Sequence, residues 1–206
     1  MKRLIILLMT TLVITGCSSL SNNKQPAQST EIAISWIDHV QNMRLINDWQ
    51  ANAKVAIAIQ KKTQSAKMTW LQQDSQFDIT FSGPFGHAGP RISGSDTSVT
   101  LLIPKEQPLT GSSASALLQQ RLGWQLPVEN ARYWMLGIPS PTSESEVTLK
   151  DERLLSLQQD GWIINYTDYT KVDDEYRPSK IIITRGDFKI LLVIYKWQTQ
   201  EQTETI

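Results

Sequence analysis

Residues 77–90 read FDITFSGPFGHAGP, and the fold follows from how this stretch changes character partway along. Phe77, Ile79 and Phe81 alternate with Asp78, Thr80 and Ser82, the period of two that belongs to a strand with one buried face. Gly83-Pro84-Phe85-Gly86 then breaks the ladder, since proline has no N–H to donate and glycine favours turns. The stretch predicts a strand running into a turn with a phenylalanine at its tip. Turn tips are normally polar and solvated. Two readings of Phe85 follow: it folds back onto the core, as most phenylalanines do, or it projects as an apolar probe.

Working outward, the same alternation precedes and follows this strand. Trp49, Ala51, Ala53, Val55, Ile57 and Ile59 share one face, and Gln50, Asn52, Lys54 and Gln60 the other, a half-buried antiparallel pattern. Met68 and Trp70 mark the next strand, and Val99, Leu101 and Ile103 one over Ser98–Ile103. Further strands are predicted at Arg153–Gln158, Gly161–Tyr169, Ser179–Thr184 and Phe188–Trp197, separated by Asp160-Gly161, Asp173-Asp174 and Gly186-Asp187 turns. Helical spacing appears in three places. Glu31–Ile46, capped by Ser29 or Thr30, carries Ile34, Ile37, Met43 and Ile46 on one side. Ser112–Leu122 carries Leu117, Leu118 and Leu122, and Glu129–Leu136 stops at Gly137 with Pro139 beyond.

Strands, a helix pair and strands again, in that order, make a mainly β, α+β domain with helices inserted into an antiparallel sheet. Long strands curl, so an incomplete antiparallel β-barrel is the expected outcome, with the short helices over its open side. Its apolar interior is either solid core or a cavity. Six tryptophans besides Trp49 supply bulk to it, and core filling accounts for most of them.

The N-terminus places the chain. Met1-Lys2-Arg3 precedes an apolar run over Leu4–Val13, shorter than the roughly 20 residues of a spanning helix. Ile14-Thr15-Gly16-Cys17 follows. These residues resemble a bacterial lipobox, in which the cysteine receives a diacylglycerol and becomes the first mature residue. Cys17 is the single cysteine of 206 residues, so no internal disulfide can form. The expected organisation is a signal peptide over residues 1–16, a lipidated N-terminus and flexible tether over 17–30, and one domain over 31–206. Ser18 and Ser19 carry no acid after the cysteine, and in sorting bacteria that absence points to the outer membrane. A tether of this kind spans roughly 20 Å and keeps the domain beside the bilayer. Losing Lys2 and Arg3 from the 20 basic residues leaves 18 against 20 acidic ones. That balance offers no strong overall field for nucleic acid or anionic lipid.

Enzyme chemistry finds no footing. His39 and His87 sit in unrelated settings, and neither metal-ligand spacing nor a G-x-S-x-G elbow occurs. Asp173-Asp174-Glu175 reads as a solvated turn and not a calcium loop. Gly83–Gly89 lacks the lysine and spacing of a phosphate loop. No catalytic residue, metal or cofactor is expected.

One run is specific enough to carry a resemblance. Gly123-Trp124-Gln125-Leu126-Pro127-Val128, with Arg132, Trp134, Leu136, Gly137, Ile138 and Pro139, resembles the helix motif of the LolB family. Trp70-Leu71-Gln72-Gln73, Pro84-Phe85-Gly86, Trp162, Tyr166, Tyr169 and Trp197 continue it in order. The resemblance implies a monomeric outer-membrane receptor on the periplasmic side. Such a receptor takes acylated lipoproteins from the soluble carrier LolA and inserts them into outer-membrane lipid. It further implies an apolar cavity, with Val55, Ile57, Met68, Trp70, Ile79, Phe81, Leu101, Trp134 and Leu136 as candidates. It implies an insertion loop at Pro84, Phe85 and Gly86, where the family usually has leucine in place of Phe85. Arg132 is expected to reach a carbonyl or carboxylate. The alternative is a lipid-anchored structural or assembly protein with a solid interior.

Overall fold

The computed structural model of the chain describes residues 27–59 and 62–199; the leader, Cys17 and the start of the tether lie outside them. Helix α1 (Ala27–Leu45) leads into β1 (Asp48–Ile59), β2 (Lys62–Gln73), β3 (Gln76–Ser82), β4 (Ala88–Gly94), β5 (Val99–Leu102) and β6 (Leu109–Gly111). Helices α2 (Ala114–Leu122) and α3 (Val128–Met135) come next. The chain then returns through β7 (Ser145–Lys150), β8 (Arg153–Gln159), β9 (Trp162–Val172), β10 (Glu175–Arg185) and β11 (Phe188–Thr199). Helix α1 starts four residues ahead of the expected Glu31, because Ala27 and Gln28 are themselves good helix formers.

All eleven strands form one antiparallel sheet in the order β6-β5-β4-β3-β2-β1-β11-β10-β9-β8-β7. The first strand therefore pairs with the last, Val55 opposite Leu192 and Ile57 opposite Ile190. The described ladders do not join β6 to β7, so the barrel is incomplete, as the length and curl of the strands predict. Alternation decides what faces inward. Trp49, Ala51, Ala53, Val55 and Ile57 are buried along β1, while the residues between them are exposed or half-buried.

The inward faces and two helices share one core. Helix α2 packs on β5 and β6 at one end of the strand order, and α3 packs on β10 toward the other, so the pair bridges the wings of the sheet. Six of the seven tryptophans are buried and Trp36 packs against the core's edge. Trp49 meets Trp70 and Trp197, each at 5.5 Å between ring centres, a spacing typical of favourable aromatic contact. Ser113 caps α2, its Oγ accepting from the Ala116 N–H at 3.2 Å, which satisfies one of the helix's orphan donors.

Strands β4, β6 and β7 are additions to what periodicity predicts. The sequence of β4, AGPRISG, contains two glycines and a proline, and β7 buries no residue fully. Neither presents an alternating apolar face for a pattern to report.

Candidate functional site

The β3–β4 hairpin builds the site's outer part. Ser82 pairs with Ala88, and beyond that pair the Gly83 N–H donates to the His87 carbonyl at 2.8 Å. The Gly86 N–H closes back on the Gly83 carbonyl at 3.2 Å. Within this tight loop Phe85 stands in the left-handed region, at φ 61° and ψ 19°. For a residue with a Cβ that backbone costs about 1–2 kcal/mol. Its side chain is 100% exposed. Of the two readings of Phe85, projection is the one observed: the hairpin holds a large apolar ring in solvent on a strained backbone. Such strain persists only where the surroundings impose it and often marks a functional position.

Beneath the turn, on the inner side of the sheet, lies an opening of about 230 Å³. Val55, Ile57, Phe81, Pro90, Leu122 and Trp124 make its apolar lining, with Gln64, Ser65 and His87 among the polar residues. Trp124 comes from the link between α2 and α3 and meets Phe81 edge-on at 5.2 Å. The helix cover thus closes the inner wall of the opening. A second opening, of about 300 Å³, lies at the other end of β1 and is bordered by Met43, Trp49, Arg132, Tyr133 and Leu136.

The nine cavity candidates divide accordingly. Val55, Ile57 and Phe81 border the opening under the turn, and Leu136 borders the second. Met68, Trp70, Ile79, Leu101 and Trp134 border neither opening and are packed core, each at most 3% exposed. Sequence reasoning did not select Leu122 and Trp124 as lining, although Trp124 stands inside the motif that carries the resemblance.

The helix cover is pinned by polar contacts, with the buried Nε of Arg132 left without a partner among the described residues. Gln159, itself buried, accepts from the Trp134 Nε1–H at 2.8 Å and from the Ser140 N–H at 3.0 Å. Its Nε2 donates to the Ser140 and Ser143 carbonyls at 2.8 and 3.0 Å. The Tyr166 hydroxyl donates to the Trp134 carbonyl at 3.1 Å, and burial pushes its pKa well up, keeping it a neutral donor. Arg132 reaches the Asp96 carboxylate at 3.4 Å and the Tyr133 hydroxyl at 2.9 Å, so its carboxylate contact is a structural one. Glu129 ties the two helices together, accepting from Ser113 Oγ at 2.9 Å and from the Ser115 N–H and Oγ. Burial raises the Glu129 pKa, but hydrogen bonds from Ser115, its own backbone and Ser113 outweigh that and hold it below the usual value.

Chemically, this arrangement offers apolar surface and an apolar probe. Among the described residues no group of three or more His, Cys, Asp and Glu side chains is placed to hold a metal.

An open antiparallel sheet wrapped over two helices defines the class of fold, and solved structures share it. A LolA superfamily protein from Nitrosomonas europaea superposes with a TM-score of 0.56 at 13% identity, over 84% of this chain and 95% of that one. A DUF1329 family protein from Desulfovibrio piger gives 0.57 at 10% identity with the same coverage. At such identities the likeness is one of fold. Sequence narrows it: the profile of the outer membrane lipoprotein LolB family matches residues 47–197. Outer-membrane lipoprotein LolB of Pseudomonas syringae pv. syringae is 35% identical over 92% of both chains, and that of Pseudomonas aeruginosa is 33% identical with the same coverage. The chain belongs to the LolB family and is an outer-membrane lipoprotein of the lipoprotein localisation pathway.

Proposed function

We propose that the protein accepts acylated lipoproteins from a soluble carrier of the LolA kind and inserts them into the outer membrane, anchored there through lipid on Cys17. The single observation that carries this reading is Phe85, held fully exposed at the tip of a hairpin whose Gly83 and His87 border an apolar opening. A solid structural protein has no use for a strained, solvent-exposed phenylalanine beside an apolar mouth. Lipid on Cys17 gains about 0.8 kcal/mol per buried methylene, and a short tether keeps the turn within reach of the bilayer.

The opening is an entrance and not a finished pocket. At about 230 Å³ it is smaller than the roughly 300–1,000 Å³ that encloses a drug-sized ligand. Most of the interior behind it is filled by side chains such as Met68, Ile79 and Trp134. Loading an acyl chain therefore moves Trp124 and the α2–α3 cover away from the sheet. Transfer needs no cofactor. Acyl chains pass to whichever partner binds them better, and about 1.4 kcal/mol gives a tenfold bias. Insertion follows when Phe85 enters the hydrocarbon and joins the mouth to it.

Phe85→Glu tests this. Because the ring is fully exposed, the variant is expected to fold and to take cargo from the carrier at a near-normal level. Delivery to vesicles is expected to fall at least tenfold, since a charge at the bilayer centre costs about 2.5–3.5 kcal/mol. Normal delivery by the variant would remove the turn from the mechanism.

A further inference from the structure

The outer face of the sheet carries a feature that cargo transfer through the apolar mouth does not use. Lys54 on β1 and Lys67 on β2 lie directly opposite each other, and both are exposed. Like charges in a cross-strand pair repel each other. Among the described residues neither ammonium has a carboxylate within ion-pairing distance, whereas Arg91 is paired with Asp78 and Arg121 with Glu106. Lys180 lies in the same lateral row, beyond Val193, and has Asp168 opposite it. The two facing lysines lack such an offset.

They stand at the rim of a groove of about 310 Å³ whose other lining includes Ala56, Leu191, Val193 and Phe85. Register orders these groups along the strands. Ala56 and Leu191 oppose each other in one row, and Lys54 and Val193 in the next outward-facing row, about 7 Å away at two residues of strand rise. The turn carrying Phe85 lies at the Ala56 end, because Ser82 pairs with Lys67 and the turn continues past it. Along the groove itself Phe85, the Ala56–Leu191 row and the paired lysines follow in that order, with Lys189, opposite Ala58, outside the groove in the outward-facing row beyond Ala56. Within the groove that spacing matches the separation of hydrocarbon from phosphate across the glycerol region of a bilayer.

We propose that this groove seats the phosphate headgroup of an anionic phospholipid, held between Lys54 and Lys67, with the lipid's upper methylenes against Leu191 and Val193. The inference rests on the reading that the Phe85 turn enters the membrane. It adds that the bilayer is gripped on the outer face of the hairpin while cargo leaves by the inner face. Free phosphate shares the ionic chemistry but has nothing to place on the apolar floor.

The test uses the mature chain carrying Cys17→Ser, which keeps every residue of the described fold and removes the anchor's dominant affinity. Flotation is measured with vesicles of phosphatidylcholine alone and with phosphatidylglycerol admixed. The unsubstituted surface is expected to favour the mixed vesicles and to be weakened by salt. Lys54→Gln with Lys67→Gln is expected to lower binding to mixed vesicles about thirtyfold, roughly fivefold for each lysine, and to leave phosphatidylcholine binding unchanged. Equal binding of this double variant and the parent to mixed vesicles would overturn the seat. Phe85→Glu, by contrast, is expected to weaken binding to both vesicle types. If it binds both as the parent does, the membrane-entry reading itself fails, whatever the lysines do. Inorganic phosphate that displaces the parent further than chloride at matched ionic strength would assign the groove to the free ion and overturn the lipid as occupant.

Discussion

Two loops of this protein have nearly the same ingredients and opposite fates. Gly83-Pro84-Phe85-Gly86 and Gly137-Ile138-Pro139-Ser140 each combine glycine, proline and one large apolar residue. Ile138 is 0% exposed and Phe85 is 100% exposed. Local composition therefore does not decide burial; what the rest of the chain offers the loop does. Around Ile138 the side chain of Gln159 satisfies the backbone of Ser140 and Ser143, and Pro178 packs on Gly137. Around Phe85, among the described residues, the turn's backbone bonds to itself, through Gly83, Gly86 and His87.

Removing what the buried loop depends on should have the largest effect. Gln159→Leu strips partners from the Trp134 indole N–H and from both backbone groups of Ser140. With buried polar groups costing about 1–3 kcal/mol each when orphaned, urea denaturation is expected to register a loss of about 3–5 kcal/mol. A loss below 1 kcal/mol would mean that burial of Ile138 does not depend on this amide.

The glycines sharpen the contrast. Gly86 and Gly137 have almost the same φ, +78° and +77°. An added Cβ meets nothing within 4 Å at Gly86, but lies 3.1 Å from Pro178 Cγ at Gly137. Both alanine variants bear the left-handed backbone cost of about 1–2 kcal/mol, and Gly137→Ala adds a steric one. Thermal melts are expected to fall for both, and further for Gly137→Ala. Equal melts would show that Pro178 yields freely.

Phe85→Asn should act in the other direction. Asparagine tolerates the left-handed region, and the ring has no packing to lose, so stability is expected to rise by about 0.5–1 kcal/mol while delivery to vesicles falls. A variant that became less stable would mean the ring packs in solution after all.

The smallest effect belongs to acid. The folded pKa of Glu129 is depressed, so the unfolded chain binds more protons over the range between the two values. Its contribution to stability is complete above the unfolded pKa and is lost as pH falls through the folded one. Glu129→Gln, which mimics the protonated carboxyl, is expected to flatten the stability–pH curve on that acidic limb, less stable than the parent near neutrality and level with it once pH falls below the folded pKa. A variant curve parallel to the parent's would remove Glu129 from the linkage.

The strands with strict alternation were legible because burial of one face writes itself into every second residue, as in β1 and β3. Helices α2 and α3 were legible from leucine spacing and from the stop at Gly137. Strands β4 and β7 were not, since glycine, proline and polar residues at sheet margins are chosen for closeness and solvation and carry no period. At the site, Phe85 was conspicuous as an aromatic in a turn, but its exposure depended on absent neighbours, which no local pattern records. The division of the nine interior candidates into lining and packed core depends on where Trp124 lands, a fact of tertiary packing. Lys54 and Lys67 face each other through a register that neither strand contains alone.

The unjoined margins of the sheet, β6 and β7, have a mechanical consequence. In a closed ring every strand is gripped on both sides, so admitting a guest means breaking backbone bonds somewhere around the hoop. Here the eleven strands form a leaf spring with two loose ends. It can relax its curvature with each described ladder intact, giving up side-chain contacts to the helices lying in its hollow. Room for a guest is then a matter of flexing, not rupture. Under the proposed function, the work of opening would be spread thinly along a sheet free to return to its resting shape.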